Sequence, residues 1–165
     1  GASGYVGGRL VTVLLERGYR VRCLVRTPTK VTSAAWYEQV DVVRGDVGGD
    51  LSDAMAGVDA AYYLVHSIGS SAEWAEHDRI VAANFRHAAE LAGVGRIIYL
   101  GGLGDHSAGA LSEHLASRQE VGVELARELR GAHQVAEHHG QLSPFRIRSA
   151  VCQRRGDEWH GIWRV

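Results

Sequence analysis

The sequence predicts a doubly wound α/β fold, in which helices cover both faces of a parallel β-sheet. Short apolar runs alternate along the chain with longer segments whose apolar residues recur at helical intervals. A glycine-rich stretch, residues 1–7, comes directly before the first helical segment. Polar residues or glycines follow the apolar runs, as expected where the carboxyl ends of parallel strands form one ligand-binding edge.

The glycine-rich stretch has the spacing G-x-x-G-x-x-G, with glycine at positions 1, 4 and 7. Glycine lets backbone N–H groups approach a phosphate closely because no side chain intervenes, and the helix that follows adds the positive end of its dipole. The apolar residues of that helix are Val6, Leu10, Val13 and Leu14. Since the spacing alone is a weak signal, an ordinary glycine-rich turn is the alternative interpretation.

Four later segments are predicted strands: Arg20–Arg26, Val40–Arg44, Ala60–Val65 and Arg96–Leu100. The first ends before Pro28, which cannot continue a central strand. The third is apolar throughout, as expected for a parallel strand covered on both faces.

Three further segments are predicted helices: Leu51–Ala56, Ala72–Ala92 and a segment from an N-cap at Ser112 to about Leu129. Glycines follow the first two and the opening helix, as is common just past a last helical turn. The middle helix is expected to bury one apolar stripe, which consists of Ile80, Val81, Asn84, Phe85, Ala88, Leu91 and Ala92.

No apolar run lies ahead of the glycine-rich stretch, where a strand is the usual context. In the usual strand order that strand is central and pairs on both sides. We therefore interpret the chain as an N-terminally truncated fragment whose sheet lacks its first strand. A chain of this kind is expected to be unstable or to aggregate when expressed alone.

Composition places the chain among soluble globular proteins. Hydrophobic residues make up 45% of its 165 residues and the formal charge is −1, so there is no basic excess that indicates nucleic acid. No apolar run has the length of a membrane span and no signal peptide is visible. Cys23 and Cys152 are isolated, which favours free thiols and a cytoplasmic location. A zinc site is not expected, because the spacing of His138, His139, Cys152 and His160 gives no compact ligand pair.

Several motifs in order along the chain resemble the atypical short-chain dehydrogenase/reductases, nearest to their NmrA-like, NAD(P)H-binding branch, often described as nucleotide-sugar epimerase-like. The resemblance covers residues 1 to about 127. The motifs are Gly1–Gly7, Arg22–Arg26, Gly45–Val47, Gly57–Ser67 and Arg96–Leu103. It implies an NAD(P)-binding Rossmann domain over residues 1–127.

The resemblance also implies roles for particular residues. Near the cofactor pyrophosphate it places Gly1, Ser3, Gly4, Tyr5, Val6 and Gly7. It places Arg26 beside the adenosine ribose, Asp46 and Val47 by the adenine, and Val65, His66 and Ser67 at the nicotinamide side. Asn84 is implied to help fix the loops on the substrate side.

The residue that ends the second strand of such a fold indicates which nucleotide is bound. An NAD site usually has Asp or Glu there, which accepts from the ribose 2′-OH and repels a 2′-phosphate. Here the strand ends in Arg26, with Lys30 four residues later and no acidic residue before Glu38. A guanidinium suits a phosphate in charge and geometry, so NADP(H) is expected in preference to NAD(H). A solvated charge at a strand end is the alternative interpretation of Arg26.

The chain departs from the family pattern at the catalytic residues. Active members of the wider family carry a serine at the end of the fifth strand and Tyr-x-x-x-Lys at the start of the next helix. Here the strand ends in Gly101-Gly102, and the nearest match to the pair is His114-x-x-x-Arg118. His114 could move a proton near neutral pH and Arg118 could supply a fixed positive charge on the same helix face. An exposed histidine and arginine on a surface helix are an equal alternative.

Residues 128–165 do not follow the family pattern and stay unplaced; they either continue the same domain or come from a shifted reading frame. The leading hypothesis for the intact protein is an NADP(H)-dependent oxidoreductase acting on an unknown small molecule. The alternative is a non-catalytic NADP(H)-binding redox sensor of the NmrA type, and a third is an inactive, partial gene product. A monomer and a homodimer are both compatible with the sequence.

Overall fold

The computed structural model describes residues 1–65, 72–101 and 113–126. These residues form four α-helices and four strands, in the order α1 (Tyr5–Glu16), β1 (Arg22–Val25), β2 (Asp41–Arg44), α2 (Ser52–Met55), β3 (Ala60–Tyr63), α3 (Ala72–Leu91), β4 (Arg96–Tyr99) and α4 (Glu113–Ala126). Two short 3-10 turns lie between β1 and β2. Strands and helices alternate and the strands are parallel, so the predicted α/β class is confirmed.

Three of the helices end as their sequences predict. Gly18, Gly57 and Gly93 have φ values of 80°, 66° and 69°, a left-handed conformation that a side chain disfavours. Each turns the chain out of a helix and toward the next strand.

The strands pair in two separate couples. β1 pairs with β2 from Arg22↔Asp41 to Val25↔Arg44, and β3 pairs with β4 from Ala60↔Arg96 to Tyr63↔Tyr99. Within the described residues, no ladder joins one couple to the other.

Each couple of strands has its own core. The larger core lies between the β3–β4 couple and helices α2, α3 and α4. It consists of Leu51, Met55, Ala61, Tyr63, Ala82, Phe85, Ala89, Val94, Ile97, Tyr99, Val121 and Leu125. The smaller core joins α1 to the β1–β2 couple and consists of Val11, Cys23, Val25, Val31 and Trp36.

The buried face of α3 differs from the predicted stripe. Val81 and Phe85 are buried as expected, but Ile80 is 54% exposed and Leu91 is 78% exposed. The buried positions instead include Ala82 and Ala89. The reason is that α3 packs against both α4 and the sheet, so small residues are needed where the two helices approach closely.

None of the helices in the described ranges combines the length and the apolar composition needed to cross a membrane.

Candidate functional site

The glycine-rich loop is folded tightly against its own first residue. The Gly4 N–H donates to the Gly1 carbonyl at 3.0 Å, and a Cβ added to Gly7 would lie 2.1 Å from that same oxygen. No side chain fits at position 7 without moving the backbone. Gly7 is buried, while Gly1, Ser3 and Gly4 are exposed, so the loop presents its backbone to solvent.

The first turn of α1 concentrates positive potential beside this loop. Gly4 is the N-cap, and among the described residues no side chain caps the helix and no acidic residue lies in its first turn. Tyr5 is 77% exposed, and the Arg9 guanidinium carbon lies 4.8 Å from the centre of its ring. Uncapped N–H groups, the helix dipole and a nearby guanidinium favour an anion at this end of the helix.

The glycine-rich loop lies next to both strand couples. A Cβ added to Gly1 would be 2.5 Å from Cβ of Leu64, the residue after β3. Ala2 packs against the smaller core, which includes Val25 at the end of β1. The loop therefore lies near the carboxyl ends of β1 and β3, the edge at which ligands bind in this architecture.

Arg26 and Asp46 face each other at this edge. Arg26 follows β1 and Asp46 follows β2 after Gly45, and the Arg26 Nε lies 3.8 Å from the Asp46 Oδ2. The side chains are 81% and 56% exposed, so water and salt weaken this ion pair. The guanidinium is therefore available to a further anion.

The Asp46 loop, residues 46–49, is held from two sides. Its own turn is closed by the Gly48 N–H, which donates to Asp46 Oδ1 at 2.9 Å, and by the Gly49 N–H, which donates to the Asp46 carbonyl at 3.0 Å. From α3, the Asn84 Nδ2 donates to the carbonyls of Val47 and Gly49 at 2.8 and 2.9 Å. Asn84 thus fixes the loop that carries Asp46 and Val47, which the sequence analysis had not associated with it.

The residues predicted for the nicotinamide side are only partly described. Val65 is partly buried and packs against the larger core just after β3. His66 and Ser67 lie outside the described residues.

The predicted catalytic pair lies on α4. Arg118 reaches the end of β4, where its Nη2 donates to the Leu100 carbonyl at 2.7 Å, and its own carbonyl accepts from the Tyr99 hydroxyl at 3.0 Å. Its Nε is buried and has no acceptor among the described residues. His114 is in the first turn of the same helix, one turn before Arg118. The guanidinium is therefore anchored at the carboxyl edge of the sheet.

Comparison with known families identifies the chain. A family model described as NAD(P)H-binding matches residues 1–142. The chain belongs to this NAD(P)H-binding family. The match runs from the glycine-rich loop past the last described helix, so it includes every strand and helix of the structure.

Curated relatives of this NAD(P)H-binding chain are named as dehydrogenases. The chain is 33% identical over 111 residues to a 3-beta-hydroxysteroid dehydrogenase from Mycolicibacterium neoaurum; the match covers 60% of the chain and 30% of that protein. It is 31% identical over 111 residues to a 3 beta-hydroxysteroid dehydrogenase/Delta 5→4-isomerase from Mycobacterium tuberculosis, with 60% and 29% covered. The chain therefore spans less than a third of the length of these relatives.

Solved structures have the same fold. MoeE5 in complex with UDP-glucose and NAD aligns with a TM-score of 0.64 and 20% identity, over 83% of this chain and 51% of that one. A Citrobacter sp. triphenylmethane reductase aligns with a TM-score of 0.56 and 25% identity, over 74% and 43%. The likeness to MoeE5 shows a Rossmann-like fold for the described halves of the sheet.

The described ranges hold no group of three or more His, Cys, Asp or Glu side chains placed to bind a metal ion. The four residues considered for zinc, together with the whole of residues 128–165, lie outside the described part of the chain.

Two features of the site were not found by sequence reasoning. The bonds from Asn84 to the Asp46 loop join positions 35 to 37 residues apart, and the bond from Arg118 to Leu100 joins positions 18 apart. All three acceptors are backbone carbonyls, which carry no sequence signal. The sequence offered two hints for Asn84: it is a polar residue inside an otherwise apolar stripe of α3, and the family resemblance implies that it fixes loops, though those on the substrate side.

Proposed function

We propose that the protein binds NADP(H) in preference to NAD(H) through the glycine-rich loop and Arg26. The observation that carries the preference is the end of β1, where the guanidinium of Arg26 is 81% exposed. Its neighbour Asp46 comes from the next strand, so the position that usually binds the 2′-OH of NAD holds a cation instead. A 2′-phosphate would receive a charge-assisted hydrogen bond there.

The glycine-rich loop supports a pyrophosphate at the start of α1. Gly1, Ser3 and Gly4 leave the loop backbone open, and Gly7 lets the loop fold against the start of α1, where a Cβ would meet the Gly1 carbonyl. Exposed Tyr5 and Val6 border the same turn. Following the family resemblance, we also assign Asp46 and Val47 to the adenine. Val65, His66 and Ser67 are assigned to the nicotinamide side in the same way.

The cofactor preference is tested by titrating NADPH and NADH while following nucleotide fluorescence. Arg26→Ala is expected to weaken NADPH binding by about tenfold and to leave NADH nearly unchanged, since only NADPH carries the 2′-phosphate. Arg20→Ala is the matched control, because Arg20 is also exposed (82%) and paired with a carboxylate but precedes β1. Equal losses for both nucleotides in Arg26→Ala would contradict the preference.

We further propose that the intact protein is an oxidoreductase of the NmrA-like, atypical short-chain type. The dehydrogenase and reductase names of its relatives support this class. When bound, NADPH would supply the hydride, and the residues of the chain would orient the nucleotide. The substrate would be a small carbonyl, quinone-like or sugar-nucleotide compound, and the names of the relatives add 3-beta-hydroxysteroids to the classes to assay.

The second candidate is a non-catalytic NADP(H) sensor. It is favoured by the absence of Ser, Tyr and Lys at the three family positions, where Gly101, His114 and Arg118 stand instead. In the oxidoreductase, His114 moves a proton and Arg118 holds positive charge near the nicotinamide. NADPH oxidation with candidate substrates separates the two: turnover that is lost in His114→Ala supports the enzyme, and binding without turnover supports the sensor.

A further inference from the structure

The contacts between α3 and the Asp46 loop have a consequence for nucleotide binding. Asn84 Nδ2 carries two hydrogens, and the carbonyls of Val47 and Gly49 lie 2.8 and 2.9 Å from it. The distances allow one hydrogen for each acceptor. An aspartate at this position has the same shape but would turn a carboxylate oxygen toward two carbonyl oxygens.

Packing holds the same loop against the same helix. A Cβ added to Gly48 would lie 3.6 Å from Cγ2 of Val81, one turn before Asn84 on α3. Val47 packs against the larger core. The Asp46 loop therefore belongs to β2 by sequence but rests on α3, in the other half of the molecule.

The outer end of the loop is held only weakly. Asp46 Oδ2 lies 3.8 Å from Arg26 Nε, and both side chains are more than half exposed. An exposed ion pair of this kind contributes little free energy, so it does not by itself fix the relative position of its two side chains. The position of the Asp46 carboxylate relative to Arg26 is therefore set by the turn of the loop, in which the Gly48 N–H donates to Asp46 Oδ1, and by Asn84, which holds that turn on α3.

We propose that Asn84 is a positioning residue for the adenosine half of the nucleotide, acting through the Val47 and Gly49 carbonyls. This inference rests on the proposed function of the site. It differs from the role implied by the family resemblance, which assigned Asn84 to the substrate-side loops.

The test compares NADPH with 2′,5′-ADP, which contains the adenosine half and the 2′-phosphate but no nicotinamide. In Asn84→Ala and Asn84→Asp, both ligands are expected to bind about tenfold more weakly by isothermal titration, the scale of one or two lost hydrogen bonds. Because the effect arises on the shared half, the ratio of the two dissociation constants is expected to stay unchanged. His87→Ala, an exposed neighbour on α3, is the matched control.

Amide hydrogen exchange gives a readout that needs no ligand. In Asn84→Ala, exchange at Gly48 and Gly49 is expected to accelerate, while Gly45, whose N–H donates to Val25 at 3.1 Å, stays protected. A merely structural role would instead lower the melting midpoint and leave the ligand affinities of the folded variant intact.

Three results would overturn the inference. NADPH affinity that falls while 2′,5′-ADP affinity does not would assign Asn84 to the nicotinamide side. Unchanged affinity for both ligands in a folded variant would make Asn84 structural only. If the unaltered protein binds neither ligand, the proposed function itself fails, and this inference fails with it.

Discussion

The two strand couples of this molecule differ in the size of their cores and in the number of proposed binding residues that they carry. Within the described ranges, the core of the β3–β4 half has twelve buried residues and includes parts of α3 and α4, whereas the core of the β1–β2 half has five and includes part of α1. The smaller half nevertheless carries the glycine-rich loop, Arg26 and Asp46. The comparison indicates that the proposed binding residues lie on the less stabilised half and depend on the other half for support.

Hydrogen bonds from polar side chains join the two halves, between which the described residues form no strand ladder. Arg22 of β1 donates to the carbonyl of Ala56 at 2.7 Å, at the end of α2, and Asn84 of α3 holds the Asp46 loop. Leu24 of β1 also packs against the larger core. The inner edges of β1 and β3 are not paired with each other.

The largest expected effect concerns the inner edges of β1 and β3, which are not paired with each other. Adding an apolar, β-branched segment of about five residues ahead of Gly1 is expected to raise the free energy of unfolding by on the order of 3–5 kcal/mol, because it would pair with both edges and bury side chains in both cores. Chemical denaturation measures the change. A glycine–serine extension of equal length is the control, and an equal gain from both would contradict the expectation.

The second effect compares a buried and an exposed position of α3. Phe85 is 6% exposed and its ring meets the Tyr63 ring edge-on at 5.0 Å, at the centre of the larger core. Phe85→Ala is expected to cost about 3–4 kcal/mol of unfolding free energy, measured by urea denaturation. Leu91→Ala, at a 78% exposed site of the same helix, should cost less than about 0.5 kcal/mol. Similar costs at the two sites would mean that the buried face is misassigned.

A third effect concerns the charges between α3 and α4. Arg86 Nη1 donates to Glu90 at 2.8 Å, and its Nη2 lies 3.7 Å from Glu124, whose side chain is only 6% exposed. Arg86→Met is expected to destabilise the fold by about 2 kcal/mol, because the buried Glu124 carboxylate loses a cation. Combining it with Glu124→Gln should cost less than the sum of the single changes in thermal unfolding; additive costs would show that the two groups are not coupled.

The smallest effect reports on the core of the β1–β2 half. Burial raises the pKa of the Cys23 thiol to about 11. Since the folded pKa is above the unfolded one, the unfolded state loses its proton first, and stability is lost as the pH rises from about 9 toward 11. Cys23→Ala, which removes the titrating thiol, should reduce this loss. Equal alkaline destabilisation of both proteins would contradict this assignment.

The sequence predicted local structure better than it predicted contacts between distant segments. Apolar runs and terminal glycines identified the strands and the helix ends, because these features depend on residues close together in the chain. The stripe of α3 was misplaced at Ile80 and Leu91, since two neighbours, α4 and the sheet, decide which face is buried. The support of the Asp46 loop by Asn84 was missed because its acceptors are main-chain atoms.

The central claim is that the glycine-rich loop binds the nucleotide through its backbone, in the shape that Gly7 permits. Two adjacent glycines test it directly: a Cβ at Gly7 would lie 2.1 Å from the Gly1 carbonyl oxygen, whereas a Cβ at Gly8 would meet its nearest atoms at 3.7 and 3.8 Å. The measurement is isothermal titration of NADPH into Gly7→Ala and Gly8→Ala, each shown to be folded. The account predicts binding by the unaltered protein and Gly8→Ala and a loss of at least about tenfold in Gly7→Ala. Equal affinity of folded Gly7→Ala and Gly8→Ala would contradict it.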